Sequence, residues 1–164
     1  MGFDTRIGTR GARQPKGRLM RWMNRVMASR IRRKGGNAMG MNVLVLVTLG
    51  RKSGVERETP VGWFPGPDDS WVIVASAAGA AGNPAWYYNL AAHPGRVRVE
   101  MGGRSTAVTA EQLAGAERAE AWRQINGVAP RFAEYQTKTD RELPIIRLTP
   151  RSSRHSADQI IPRQ

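Results

Sequence analysis

The sequence predicts a mainly β domain with flanking helices, an α+β fold organised as a small barrel. Three observations carry that expectation. Six short apolar or alternating runs read as strands, at 43–49, 57–64, 71–76, 96–101, 104–109 and 144–148. The turns between them are tight: Pro65-Gly66-Pro67-Asp68-Asp69 separates the second strand from the third, and Gly102-Gly103 is a two-residue hairpin signal between the fourth and fifth. Helical periodicity is confined to a few short segments, so strands set the architecture.

Taken in order, residues 1–17 are rich in Gly, Arg and Thr without periodicity, and read as a disordered basic arm. Residues 18–34 form an amphipathic basic helix. Leu19, Trp22, Met23, Val26 and Met27 repeat at helical spacing, with Arg18, Arg21, Arg25 and Arg32 opposite, and Gly35-Gly36 ends the helix. Residues 35–150 make the barrel domain. Its first run, VLVLVTL, is continuous rather than alternating and predicts a buried strand. Gly50 and Gly54 then permit a tight turn around Arg51 and Lys52. Residues 84–92 predict a short helix with Asn83 as N-cap and Pro84 in the first turn, stopped by His93-Pro94. Helices at 114–126 and 130–138 follow, and residues 151–164 read as a loose polar tail.

Composition excludes several chemistries. At 164 residues the chain fits one domain with a real core, and it has no cysteine, which removes disulfides, thiolate metal sites and Cys nucleophiles. His93 and His155 stand alone, so a His-based metal site and a Ser-His-Asp triad are both disfavoured. No apolar run approaches a membrane span, and the N-terminus lacks the apolar core of a signal peptide, so a soluble cytoplasmic protein is expected. The net charge is +13, and residues 1–34 carry eleven Lys or Arg against Asp4 alone. The basic character therefore belongs mainly to an appendage. Two of its partners fit chemically: an anionic membrane surface met by residues 18–33, or the body of the protein itself. Nucleic acid is disfavoured because the remainder has no basic stripe.

Three clusters can carry chemistry. Arg51, Lys52 and Arg57 around the glycine turn either clamp an anion or form a solvated hairpin tip. Trp86 and Tyr87 at a helix start either wall a flat ring or pack the helix down. Ser76, before the small-residue loop Ala77 to Gly82, is a donor where a planar ligand can approach the backbone, or an ordinary strand-end serine. Asp140-Arg141 reads as a local ion pair.

Taken together, LVTLGRKSG with Arg57 and Thr59-Pro60-Val61, then VIVASAAG, NPAWYYNLAAHP and EYQTKTDRELPII, resemble the deazaflavin-dependent nitroreductase and quinone reductase family, in its order over residues 40–150. The resemblance implies a split β-barrel of the flavin-reductase-like kind that binds coenzyme F-420, an 8-hydroxy-5-deazaflavin. The implied activity is hydride transfer to a quinone, a conjugated enone or lactone, or a nitroaromatic. Arg51, Lys52, Ser53, Gly54 and Arg57 would hold the phosphate and glutamate tail. Thr59, Pro60, Val61, Ser76, Ala77, Trp86, Tyr87 and Asn89 would line the ring and its chain. Ser76 would stabilise developing oxyanion charge, and Tyr135 or water would supply the closing proton. Gly62, Phe132, Tyr135 and Trp22 would border the substrate. Departures matter too: Ala77 stands where the nitroreductase type carries lysine, and Gly62, Ala129 and Phe132 stand where it carries tyrosines. These changes disfavour nitro reduction and imply a more apolar pocket. FMN is the alternative cofactor. A non-catalytic split-barrel binding protein is the alternative function, and a homodimer is compatible with such barrels.

Overall fold

A computed structural model describes residues 2–13, 18–38 and 40–151. Its elements are α1 (Arg18–Lys34), β1 (Gly36–Ala38), β2 (Met41–Leu49), β3 (Glu56–Gly62), β4 (Phe64–Pro65), β5 (Trp71–Val74), α2 (Ala85–Ala92), β6 (Val97–Met101), β7 (Arg104–Gln112), α3 (Gly115–Val128), α4 (Arg131–Lys138) and β8 (Ile145–Pro150). The strands run β1-β2-β6-β7-β8-β5-β4, with β3 paired to β2 off that path.

The barrel closes through the segment that reads as one strand, 57–64. Its first part pairs with β2, from Leu49↔Glu56 to Val43↔Gly62, and its last part pairs with β5, Phe64↔Val72. The break falls at Trp63, whose amide donates to the Asn42 carbonyl. One chain segment thus belongs to both ends of the sheet and joins them through Trp63. The short β1 has no sequence signal and is set by its pairing with the start of β2.

β2 explains its unbroken apolar run. Leu44 and Leu46 point into the barrel against Ile73, Val99, Val108, Ile146, Leu148 and Leu90. Val43, Val45 and Val47 point outward beneath Ala28 and Ile31 of α1. A strand covered on both faces has no polar face to alternate, and each such side chain contributes about 1.5–3 kcal/mol of burial. A second cluster, including Phe64, Val74, Ile125, Phe132 and Leu143, packs α3 and α4 on the far side. The Gly102-Gly103 hairpin forms as predicted, with φ of 57° and 80° at the two glycines. Its amides do a second job. They donate to the Ile31 and Arg32 carbonyls, satisfying the C-terminal end of α1.

Three expectations are corrected here. The first is which face of α1 carries Arg32, since the helix keeps the stripe from Leu19 to Met27 off the barrel. It docks through Ala28 and Ile31, while Leu19, Trp22, Met23 and Val26 stay exposed. Arg32 sets that rotation by pairing with Glu58 and Glu100 on the barrel, so it lies on the docked side and not with Arg18 and Arg21. Residues 2–13 are not a free arm. Gly8 and Ala12 amides donate to the Ala81 and Gly79 carbonyls, and the Thr9 amide donates to Asp140 Oδ1 at 2.8 Å. Asn83 does not cap α2. Pro84 occupies the cap position, and Asn83 instead donates to the Thr5 carbonyl. The predicted tail, beyond Arg151, lies outside the described residues.

Candidate functional site

Topology brings the sequence-predicted clusters together. From β2 through β6, β7 and β8 to β5 there are four antiparallel steps, so β2 and β5 point the same way. Their C-terminal ends, the Gly50 turn and the Ser76 loop, therefore open at one end of the barrel. α2 bridges them. Asn89, buried on α2, accepts from the Arg51 amide at 3.0 Å and donates to Thr48 Oγ1 at 3.1 Å, which pins the helix to the turn. Its amide serves the scaffold rather than facing outward. At the other side of α2, Asn83 accepts from the Arg141 guanidinium at 2.6 Å, beside the Ser76 loop.

The cationic turn is built by its own backbone. The Gly50 amide donates to Val55 O, the Gly54 amide to Gly50 O, and the Val55 amide to Ser53 Oγ. Ser53 is thus a turn former. Gly54 sits at φ 66°, which a side chain resists, and a Cβ at Gly50 would come 2.5 Å from Ser53 Oγ. Arg51 lies over the Tyr88 ring at 4.7 Å, and among the described residues Arg51, Lys52 and Arg57 ion-pair with no acid. All three are exposed. Register then divides the predicted row on β3. Arg57, Thr59 and Val61 lie opposite Thr48, Leu46 and Leu44 on the barrel's inner face, whereas Pro60 and Gly62 lie opposite Val45 and Val43 on the α1 face. The backbone of Pro60 remains near the row, but its ring does not join it.

The Ser76 loop is strained. Ala77 and Ala78 sit at φ 46° and 52°, followed by Gly79 at 84°. Non-glycine residues in the left-handed region cost about 1–3 kcal/mol each and persist only when the surroundings hold them. Arg141 provides that hold together with the Ala12 amide, which donates to the Gly79 carbonyl. Arg141 is 2% exposed and donates to the carbonyls of Ala75, Ser76 and Ala80, at 3.0 to 3.2 Å. No ion pair with Asp140 forms, because Asp140 is turned toward Thr9 and Arg10. Burial pushes the Arg141 pKa down, with Tyr88 and Tyr87 opposing that shift. Ser76 is half-buried, and its hydroxyl makes no hydrogen bond among the described residues.

The aromatic residues separate by burial. Trp86 and Tyr87 belong to the barrel core, so they pack α2 down and do not wall an open ring site. The Tyr87 hydroxyl donates to Gln112 and accepts from the Thr5 amide. The neighbour that remains half-buried beside the cations is Tyr88, which sequence reasoning missed. Its signal was its place one residue past the buried Tyr87 on α2. Arg141 was missed as well, since a lone Arg after Asp reads as an ion pair. Phe132 is buried against Phe64 and Tyr135 in edge-to-face contacts, while Tyr135 is half-buried with its hydroxyl unbonded among the described residues. Gly62 abuts Met41, whose terminal methyl would sit 2.7 Å from an added Cβ, and Met41 packs on the Phe132 cluster. Met41 thus fills space above Gly62. Trp22 is 62% exposed on α1 and is not part of this cluster.

A model of the F-420H(2)-dependent quinone reductase family matches residues 18–150. The chain belongs to that family. It is 35% identical over 111 residues to an F-420H(2)-dependent quinone reductase of Mycobacterium tuberculosis, a match covering 66% of this chain and 73% of that one. Among solved structures it is similar to an F-420-H2 dependent reductase (FDR-A), at 36% identity and a TM-score of 0.58, over 65% of this chain and 92% of that one. It is also similar to a domain-swapped dimer, at 30% identity and a TM-score of 0.59, over 79% and 96% of the two chains. The heme storage protein HutZ of Vibrio cholerae, 13% identical with a TM-score of 0.50 over 66% and 81%, shares the fold alone. The fold is the split β-barrel of these reductases.

Within the quinone reductase family the cofactor is coenzyme F-420. The residues present suit such a group. Three exposed cations without acid partners among the described residues suit an anionic tail, and a small-residue loop whose serine hydroxyl is unbonded among those residues suits a flat polar ring.

Proposed function

We propose that this member of the F-420H(2)-dependent quinone reductase family transfers a hydride from reduced coenzyme F-420 to a quinone. One observation carries the reading: the cationic turn, which meets no acid among the described residues, and the Ser76 loop share one barrel end and are bridged by α2. The bound deazaflavin supplies the hydride. The protein's part is positional and electrostatic. Arg51, Lys52 and Arg57 hold the anionic tail, while Thr59, Val61 and the backbone of the Ser76 loop line the ring. The Ser76 hydroxyl donates to the acceptor oxygen as it gains charge, and the Tyr135 hydroxyl delivers the closing proton. Ala77, beside Ser76, leaves the acceptor side without a cationic side chain, which favours quinones and conjugated enones over nitroaromatics. Equilibrium titration with the deazaflavin and with FMN tests the cofactor, and tighter binding of FMN overturns the reading. Turnover of a quinone with the reduced cofactor separates an enzyme from a binding protein.

The exposed stripe on α1 supports a second element of the reading. Leu19, Trp22, Met23 and Val26 stand among Arg18, Arg21, Arg25 and Arg30, and α1 contains no acid. Such a face rests on an anionic bilayer, where each Lys or Arg near the surface contributes about 1 kcal/mol. A second copy is disfavoured there, because two faces of the same charge repel. The domain-swapped relative supports a homodimer. Among the described residues no helix is long and apolar enough to cross a membrane, so contact is at the surface. Flotation with anionic vesicles of the full chain and of a Trp22→Asp, Val26→Asp variant tests this contact. Equal flotation of the two removes α1 from it.

A further inference from the structure

We infer that Arg141 is a positioning residue that sets the ring end of the site by holding the Ser76 loop against α4; this rests on the reading of that loop as the place of the ring. The loop has a conformation its residues do not favour, with Ala77, Ala78 and Gly79 left-handed in succession. Its own bonds, Gly79 N to Ser76 O and Ala80 N to Ala77 O, are local and travel with it. Segment 2–13 holds the far side, with the Ala12 amide on Gly79 O and the Gly8 amide on Ala81 O, but the restraint that spans the strained residues is Arg141, whose acceptors bracket them: Ala75 O and Ser76 O before, Ala80 O and Asn83 Oδ1 after. A guanidinium offers five donors in a rigid fork, which suits a turn of converging carbonyls better than any other side chain.

The other end of the restraint is α4. The Arg141 carbonyl accepts from Gln136 Nε2 at 2.7 Å, and the Leu143 amide donates to Gln136 Oε1. Gly79 lies so near the Tyr135 carbonyl that an added Cβ would come within 2.7 Å of it. Arg141 thereby links the two groups proposed to act on the acceptor, Ser76 on its loop and Tyr135 on its helix. It reaches none of the tail cations. Its loss therefore lowers turnover much more than cofactor affinity.

The test compares wild type with Arg141→Lys, Ala78→Gly, the double variant and Ala78→Val. Ala78 is exposed, so changes there leave the core intact. In the ligand-free protein, Arg141→Lys is expected to speed exchange of the Gly79 and Ala80 amides about tenfold, with Ile73 and Val99 unchanged. With the deazaflavin and a quinone, kcat is expected to fall ~10- to 100-fold, while the dissociation constant of the oxidised cofactor stays within about threefold. Adding Ala78→Gly recovers about threefold of both losses, since glycine accepts the left-handed turn without a restraint. Ala78→Val, with Arg141 intact, lowers kcat in the same way and decides the matter if the lysine variant does not fold. The inference is overturned if Arg141→Lys exchanges and turns over as wild type. It is equally overturned if glycine at 78 recovers nothing, or if valine there changes nothing. A wild type that fails to bind the deazaflavin sinks the functional reading instead, and the amide exchange still decides whether Arg141 holds the loop.

Discussion

Ser76 and Asn89 are both polar residues near the mouth of the barrel, yet they have opposite assignments. Asn89 spends its amide on Thr48 and Arg51, whereas the Ser76 hydroxyl is unspent among the described residues. Ser76→Ala is therefore expected to lower kcat about tenfold, the loss of roughly one hydrogen bond made as charge develops. Cofactor affinity should hold within about twofold, as measured by fluorescence titration against steady-state turnover. Asn89→Ala should act on the scaffold. It leaves Thr48 and the Arg51 amide unpaired and lowers unfolding free energy by about 1–3 kcal/mol, measurable by urea denaturation. Residue types near the site were legible in the sequence, but directions were not. Trp86 and Tyr87 are adjacent to Tyr88 in the chain, and only packing decides which of them is buried.

α1 and the segment 2–13 are both held by polar contacts that pH reaches. Glu100 receives the guanidinium groups of Arg32 and Arg98. Burial would raise its pKa, but hydrogen bonds from Arg98 and Arg32 outweigh that and hold it below the usual 4.5. Its contribution is thus present above the ordinary carboxylate pKa and is lost as pH falls through the lower folded value. Glu100→Gln should loosen α1 and cost about 1–3 kcal/mol at neutral pH, read by thermal unfolding, with the gap to wild type closing in acid. Segment 2–13 has its own acid latch. Hydrogen bonds from Thr9 and the Arg10 amide lower Asp140 to about 2. Its hold is full above the ordinary 3.8 and fades as pH falls through about 2. Amide signals of Gly8 and Thr9 should report release of this segment in that window, while barrel signals persist.

Over the whole molecule, the barrel end collects positive charge that no acid among the described residues balances. Replacing Arg51 and Lys52 together by alanine should raise the cofactor dissociation constant roughly 100-fold or more, at about 1.5–3 kcal/mol per charge-assisted contact. It should also flatten the salt dependence of binding, because exposed charges are screened within about 10 Å at 0.1 M salt. The sequence by itself determined the mainly β class, the strand and helix succession, the glycine turn with its cations and the family motifs. Each of these is written in local periodicity, turn chemistry or adjacent residues. Only the tertiary structure decided that segment 56–65 changes partner at Trp63, that α1 docks by Ala28, Ile31 and Arg32, that residues 2–13 lie on the body, and that Arg141 faces carbonyls instead of Asp140. The reason is common to all four. A residue's neighbours across the barrel come from distant parts of the chain, and their competition for the same buried space and the same hydrogen bonds has no trace in local spacing.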